Sequence, residues 1–446
     1  MLDVLIAGAG LAGLSAAISL RRAGHNVHIF ERSCMNNEVG AAINVPPNAT
    51  RFLKAWGLDP ARWRFVESRC AQFRDPFTLE VTDTVCSAET VASIGGAELY
   101  YAHRVDLHNA LKWMATRQDG PGRPVTIHLG SAVVGYATPS ITLANGRTIS
   151  GDVVIGADGV HSTAPEAVLG CKNEPVAPEH SNFAFRFLIP AEVLEKDPET
   201  QSWNRDRDGR LGIFADNETR RRIIAYTCRD NTTHNFVGIF FDEDSEAEMR
   251  EDWKKKASVS DVLDKYSDFH PGLRKVISKA TEVMRWPLLY RHPIPTWYKG
   301  RMALAGDAAH PMLPHQAQGG AQALEDGLVL GIVLHGATSS DEIERRLGLY
   351  DAIRRNRASV IQILSNVGQD QIHLVHGELG KYMAAKDFPN SPLDILKHNY
   401  GYDAVRETLR VMKTHDSSFE LPSDFFETEV TGVADKAVVN PIQPRL

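Results

Sequence analysis

The chain has 446 residues, 43% of them apolar, with 49 lysines and arginines against 56 aspartates and glutamates and a net charge of -7. That length suits two or three domains or one large α/β unit, and the charge balance supplies no basic field for nucleic acid or anionic lipid. Five scattered cysteines with no C-x-x-C pair argue against a disulfide framework or a zinc site, and no stretch is long and apolar enough to span a bilayer, so we expect a cytoplasmic protein with a small-molecule partner.

The first element is a buried strand, Val4-Leu5-Ile6, running into Gly8-Ala9-Gly10-Leu11-Ala12-Gly13 and then a helix that Gly24 ends. Gly8 permits the tight strand-to-helix turn, Gly10 lets a pyrophosphate approach the backbone, and Gly13 lets helix and strand pack closely. Residues 26–30 read as a second strand that closes on Glu31, whose carboxylate can accept hydrogen bonds from ribose hydroxyls. Strand, turn, helix, strand and acid fall in order, which predicts a dinucleotide site. The carboxylate favours FAD or NAD there over NADP. Asp3, where a signal peptide carries positive charge, excludes that reading of the apolar start.

After Arg32, the run from Glu38 to Ala49 is rich in small residues and carries Pro46-Pro47, which suggests backbone passing close to a ligand. Ala49, Phe52, Leu53 and Trp56 keep helical spacing up to Gly57. A further helix is predicted over 107–114. Arg104 at its start is out of place beside a helix dipole, so it serves a phosphate or ring oxygen, or else pairs with Asp106. Asn145-Gly146 signals a hairpin between 140–143 and 147–149, and 152–155 reads as a buried strand that returns to the first sheet.

Between about 172 and 290 the sequence becomes strand-rich, with strands predicted over 183–189, 222–227 and 237–241 in an inserted antiparallel sheet. The acidic run 242–252 reads as a solvated loop and helix start. A strand over 301–304 then enters Gly306-Asp307, and a helix begins after Gly319-Gly320. Past Ser340 the pattern is helical, with Arg354, Arg355 and Arg357 assigned to the polar side, and from about His415 we expect a loose or draped tail.

Three stretches coincide: the opening turn with Glu31, Gly156-Ala157-Asp158-Gly159-Val160-His161-Ser162, and Gly306-Asp307-Ala308-Ala309-His310-Pro311 with Gln318-Gly319-Gly320 and Glu325-Asp326. Together they resemble the salicylate hydroxylase-like, group A FAD-dependent aromatic monooxygenases over residues 2–365. The resemblance implies an α/β fold with a Rossmann-type FAD-binding domain (1–171 and 291–340), an inserted antiparallel β-sheet substrate domain (172–290) and a helical C-terminal region (341–446). It implies FAD held by Gly8, Gly10, Gly13, Glu31, Arg32, Ala42, Arg104, Asp158 and Asp307, with the helix starting at Gly319 and Gly320 aimed at the flavin pyrimidine. NADPH or NADH would be a transient co-substrate. A flavin hydroperoxide would hydroxylate a phenolic or aromatic small molecule at the cost of O2. Two departures stand out: Thr163-Ala164-Pro165-Glu166 replaces an arginine that commonly follows the Ser162 stretch, and Ala317 stands where many relatives carry glycine.

On the substrate side, Arg186 and Tyr226 each place one polar side chain among apolar strand neighbours. A guanidinium suits a phenolate oxygen, and a hydroxyl can share its proton, the pairing seen in fungal phenol-dearomatising members of the family. The structural alternative is an ion pair for Arg186 and a satisfied hydroxyl for Tyr226. His310 and His315 sit in the flavin-facing motif and read as structural, and Asn44, His234 and His292 are weaker candidates. An FAD-dependent epoxidase of an isoprenoid alkene, with a pocket lacking a polar anchor, is the competing enzyme; a non-catalytic FAD-binding module is the competitor from another class. Substrate identity, NADH against NADPH and oligomeric state are not fixed by the sequence.

Overall fold

A computed structural model describes residues 1–34, 40–176, 183–205, 207–242, 256–367 and 372–431. Residues 38–39 of the small-residue run and residues 243–252 of the acidic run lie outside them. The apolar run at the start becomes the strand Asp3–Ala7, flanked on both sides by parallel neighbours, Val153–Gly156 and Asn26–Phe30. The six-stranded sheet runs, in spatial order, Tyr298–Lys299, Met302–Leu304, Val153–Gly156, Asp3–Ala7, Asn26–Phe30 and Thr126–His128. Only the Tyr298–Lys299 edge is antiparallel. Strands drawn from four distant parts of the chain thus put their carboxyl ends side by side, the edge where open α/β sheets bind ligands.

The helix Leu11–Arg22 is buried along its whole length and packs against the helix Gly319–Leu334, which is buried from Ala321 on. Contact is close enough for Ser15 Oγ to donate to the Leu324 carbonyl at 2.7 Å and Ser19 Oγ to the Leu328 carbonyl at 2.8 Å. A methyl at Gly327 would sit 2.3 Å from the Ala16 backbone nitrogen, so this crossing requires glycine.

The hairpin around Asn145-Gly146 forms as read, Ser140–Leu143 against Thr148–Ser150, with Val133–Ala137 as a third strand. The strand-rich segment builds most of an eight-stranded sheet in the order Lys256–Ala257, Val283–Pro287, Phe183–Pro190, Thr233–Phe240, Arg221–Cys228, Arg210–Asp216, Cys70–Arg74, Val81–Ser87. Its last two strands come from the first 100 residues, and Cys70–Arg74 joins in parallel. A boundary drawn at 172 leaves those two strands on the far side. One face of this sheet packs Phe185, Phe187, Phe214 and Phe236 against the helices Val259–Lys265 and Pro271–Ile277. The other packs Tyr226 and Cys228 against Ala42, Val66 and Tyr101, which belong to a separate three-stranded sheet of Ala42–Val45, Tyr100–His103 and Val66–Glu67.

For the C-terminal region one expectation needs correction, and of the two alternatives for the tail the structure shows the draped one. Arg354 and Arg357, on the helix Ser340–Leu364, are 0% and 2% exposed rather than solvated. Past His415 the chain is held down as far as it is described: Arg22 donates to the Phe425 carbonyl at 3.0 Å and to Glu427 Oε1 at 2.6 Å, and the Glu427 amide donates to the Ala55 carbonyl at 2.7 Å. Residues 432–446 lie outside the described part. Among the described residues no helix is long and apolar enough to cross a membrane.

The Gly327 contact fixes a sign that can be measured. At an exposed helical site, glycine to alanine stabilises by about 1 kcal/mol. Here Gly327→Ala should instead destabilise by about 1–3 kcal/mol, because the methyl meets backbone that cannot rotate away. A thermal unfolding midpoint at or above that of the parent protein would contradict the packing described.

Candidate active site

The turn after the first strand is fixed by contact with the second βα turn. Gly8 has φ +93°, and a methyl there would meet the Ala157 carbonyl oxygen at 2.5 Å. At Gly13 a methyl would collide with the Gly8 carbonyl, whereas the space beside Gly10 is open to 4 Å. Two glycines therefore close the turn, and the third leaves a backbone cradle vacant for a bulky anion at the start of the helix Leu11–Arg22. Glu31 is braced across the cradle, Oε2 accepting from the Ala9 amide at 2.8 Å and Oε1 from the Ser33 amide at 2.7 Å. Arg32 beside it is exposed.

Arg104 opens the helix Arg104–Thr116. The expected local pairing with Asp106 is absent: Asp106 accepts two hydrogen bonds from Arg229, at 2.8 and 3.0 Å. The Arg104 guanidinium has no ion-pair partner among the described residues and is exposed to the cleft. Its charge reaches Asp307 and Arg186. Asp307 sits at the end of the strand Met302–Leu304, open to the cleft yet enclosed by protein. Burial raises its pKa against the opposing charges of His310, Arg104 and Arg291. Asp158, in the neighbouring turn, accepts from Tyr136 Oη at 2.5 Å and also has a raised pKa, again mainly through burial.

The helix Gly319–Leu334 begins without a side-chain cap, so its first N–H groups remain open, and a methyl at Gly320 would lie 2.7 Å from Ile43 Cδ1. Its start therefore rests on the strand Ala42–Val45. The preceding Ala317 adopts φ +52°, a left-handed conformation that explains why glycine suits that position.

Beneath this helix lies a charge network whose two arginines the sequence pattern assigned to the polar side of their own helix. Glu325 accepts from Asn48 Nδ2 at 2.6 Å, from Arg357 Nε and Nη2 at 2.9 Å each, and from Arg354. Asp326 accepts from Arg354 Nε at 2.8 Å, from the Gly306 amide at 2.9 Å and pairs with His310 Nε2 at 2.6 Å. Both acids and Arg354 are 0% exposed. Burial opposes the charge on Glu325, but Arg357 and Arg354 outweigh it and hold its pKa at about 2. His310 is thereby a structural partner of Asp326, its ring tilted against Trp297 with centres 4.9 Å apart, in keeping with the sequence reading.

Arg186, Asn235 and Tyr226 converge on Ala42. In the eight-stranded sheet Arg186 pairs with Val237 and Ile224 in one row, and Leu188, Asn235 and Tyr226 form the next. Residues directly opposite, or two apart along a strand, share a face. Arg186, Asn235 and Tyr226 therefore point the same way. Arg186 Nη2 donates to the Ala42 carbonyl at 3.2 Å, and Asn235 Oδ1 accepts from the Ala42 amide at 3.2 Å. Asn235 had no sequence signal beyond being a fully buried amide on a strand. Arg186 lies 4.5 Å from the Trp286 ring centre with no carboxylate partner, and burial lowers its pKa to about 10. The structural ion pair considered for it is absent among the described residues.

Tyr226 packs on Tyr101 with ring centres 4.8 Å apart, and its hydroxyl has no hydrogen-bond partner among the described residues. Burial raises its pKa above the ordinary tyrosine value, partly offset by Arg186. His315 is partly buried with its pKa lowered to about 3 by burial, so it is neutral. His234 faces away, bonded to Asn204 at 2.6 Å, and His292 is exposed. Asn44, two residues from Ala42 on the same strand, has a buried side-chain oxygen without a partner.

The FAD binding domain family matches residues 137–363, and a second FAD binding domain family matches residues 3–36. The chain is 51% identical over 426 residues to a FAD-dependent monooxygenase of Aspergillus candidus, covering 95% of this chain and 98% of that protein. It is 33% identical over 430 residues to hispidin-3-hydroxylase of Neonothopanus nambi, covering 93% and 96% of the two chains. The crystal structure of CtdE in complex with FAD and substrate superposes with a TM-score of 0.75 over 93% of this chain and 98% of that one. At 22% identity this last likeness is one of fold.

The network beneath the cleft has a defined pH signature. The Glu325 pKa is depressed in the folded state, so its contribution is complete above the ordinary carboxyl value of 4.5 and is lost as pH falls toward about 2. Glu325→Gln should lower stability at neutral pH by about 3–5 kcal/mol, because two buried guanidinium groups lose their partner, and should flatten the acid limb between those pH values. Denaturant unfolding at pH 7 and across that acid window would measure both, and an unchanged acid limb would count against the assignment.

Proposed function

The chain belongs to the FAD-dependent monooxygenases, and from that membership we propose that it hydroxylates a phenolic small molecule with NADPH or NADH and dioxygen as co-substrates. The observation that carries this reading is Arg186, an enclosed guanidinium without a carboxylate partner, on the same sheet face as the unpaired Tyr226 hydroxyl and directly across from Ala42.

The residues at the first sheet fit FAD. The open cradle at Gly10, between the locked Gly8 and Gly13, suits the diphosphate, and Glu31 with Arg32 suits the adenosine ribose. Ala42 and Arg104 line the way to the ring, Asp158 and Asp307 present carboxyls from adjacent strand ends, and the uncapped helix start at Gly319 and Gly320 offers positive potential to an anionic flavin. When bound and reduced, FAD supplies the activation of dioxygen from which one oxygen atom reaches the substrate.

The protein's own contribution is to the substrate oxygen. A free phenol ionises near pH 10, and a buried guanidinium within hydrogen-bond reach favours the oxyanion. Tyr226, its pKa raised by burial, stays protonated and so donates to that oxygen rather than taking its proton. A phenolate is a stronger carbon nucleophile than a phenol, so holding the anion directs attack to the ring carbons ortho and para to it. Trp286 and the sheet strands around Arg186 keep water from that charge. The polar anchor argues against an isoprenoid alkene as substrate, since such a pocket needs none.

The purified protein should show a flavin absorption spectrum and consume NAD(P)H in air faster with one class of phenols, giving a product one oxygen heavier. Arg186→Gln should keep the flavin and lose about 10- to 100-fold in phenol-stimulated kcat/KM, the cost of one charged hydrogen bond; Tyr226→Phe should lose less. Turnover of an alkene without response to any phenol would transfer the reading to an epoxidase, and absence of flavin would remove it.

A further inference from the structure

We propose that Asn44 is a substrate-recognition residue whose amide oxygen accepts from a second hydroxyl of the aromatic ring, so that the site selects a 1,3-dihydroxylated, resorcinol-type phenol over a simple one. This rests on the reading that Arg186 holds the first oxygen as a phenolate.

The strand Ala42–Val45 pairs with Tyr100–His103, which pairs in turn with Val66–Glu67. Asn44, Tyr101 and Val66 stand in one row, with Ala42 and His103 in the row two positions along, so all five side chains share one face. That face meets the substrate sheet. Ala42, Val66 and Tyr101 pack with Tyr226 in one apolar cluster, and the Ala42 backbone is bonded by Arg186 and Asn235. Ile43, between Ala42 and Asn44, points the opposite way, toward the helix start at Gly320. Strand alternation thus turns Asn44 away from the groups that fit the flavin pyrimidine and toward the sheet that carries Arg186.

The other polar side chains of that face have partners. Tyr101 Oη bonds Ser68 Oγ at 2.8 Å, and His103 bonds the Gly40 backbone. Asn44 is half-buried, and its Oδ1 is buried with no hydrogen-bond partner among the described residues. An acceptor removed from water and left without a donor is costly, and native structures keep few of them. Arg186 Nε, on the facing sheet, is likewise buried without a partner. An orphaned donor on one wall and an orphaned acceptor on the other fit a ligand with the complementary pair: an oxyanion for Arg186 and an O–H for Asn44.

Residues two apart on a strand are separated by about 7 Å. Because Arg186 reaches the Ala42 carbonyl, this is also the scale that separates its guanidinium from Asn44. Hydroxyls on adjacent ring carbons stand too close together to serve both groups, whereas one ring with oxygens at positions 1 and 3 bridges them. The 1,3 pattern also suits the proposed reaction. Its two oxygens enrich the same ring carbons in electrons, whereas oxygens at positions 1 and 4 enrich different ones.

Titration of the holoenzyme with phenol, resorcinol and 3-methoxyphenol, followed by the perturbation of the flavin absorption band, tests this in the parent protein, Asn44→Ala and Arg186→Gln. We expect the parent to bind resorcinol about 10-fold more tightly than phenol, the effect of one hydrogen bond to an otherwise unpaired buried acceptor. 3-Methoxyphenol, whose capped oxygen cannot donate, should stay within about twofold of phenol. In Asn44→Ala the ratio of resorcinol to phenol affinity should fall to about twofold or less. A parent that binds resorcinol and phenol alike or binds neither, 3-methoxyphenol matching a tighter resorcinol, or an unchanged ratio in Asn44→Ala overturns the proposal. So does a rise of about 10-fold in the FAD dissociation constant of Asn44→Ala, which would assign the amide to the cofactor. Phenol and resorcinol binding unaffected by Arg186→Gln would instead overturn the reading of Arg186 on which the proposal rests.

Discussion

The cleft depends on a pair of buried carboxylates that do not touch it. Glu325 and Asp326 stand side by side on the helix Gly319–Leu334, and taking both out of water is tolerable only because Arg354 and Arg357 enter the same space from the helix Ser340–Leu364. The remaining lone pairs recruit backbone and side chains from elsewhere. Asp326 takes the Gly306 amide, which sets the turn that presents Asp307, and Glu325 takes Asn48, which anchors the segment following Ala42–Val45. Arg357 in turn holds the carbonyls of His398 and Asn399. Two acids, two guanidinium groups and a histidine thus fix the mutual position of five chain segments, because each lost partner would strand a charge.

The parts of this arrangement legible in the sequence are those whose signal is local. Gly13 and Glu31 announce their turn because their partners, the Gly8 carbonyl and the Ala9 amide, are near in sequence, and Asn145-Gly146 announces its hairpin for the same reason; the packing of Ala157 on Gly8 is the long-range part. What escaped was decided at long range. Arg354 and Arg357 look like the polar side of an amphipathic helix until Glu325 and Asp326 are placed opposite them. Asp106 looks like a natural partner for Arg104, and its true partner lies 123 residues away. The strand Val81–Ser87 has no apolar alternation to betray it, because it is an edge strand with its first four residues exposed. Gly327 reads as a weak point in a helix until Ala16 is known to lie against it.

Ala42 is where cofactor side and substrate side become one site. Its amide and its carbonyl are held by two residues of the substrate sheet, Asn235 and Arg186, while Ile43 beside it supports the helix start at Gly320. A guanidinium that bonds this carbonyl can also turn toward an anion, so the residue that recognises a phenolate in the proposed reaction is the one that touches the cofactor strand. In that proposed reaction, Arg186, which has no carboxylate partner among the described residues, would serve position and recognition together.

The crossing of the first helix with Gly319–Leu334 also bears on how the chain comes into being. The bond from Ser15 to the Leu324 carbonyl spans 309 positions. A growing chain therefore exposes the strand, turn and helix of the nucleotide cradle long before the surface that must cover them has been synthesised. Contacts of such sequence separation form late and slowly, and the uncovered apolar helix is a hazard in the interval. The nucleotide cradle leaves the ribosome long before Leu324 and is completed only once that helix has been made, so cofactor capture waits for it.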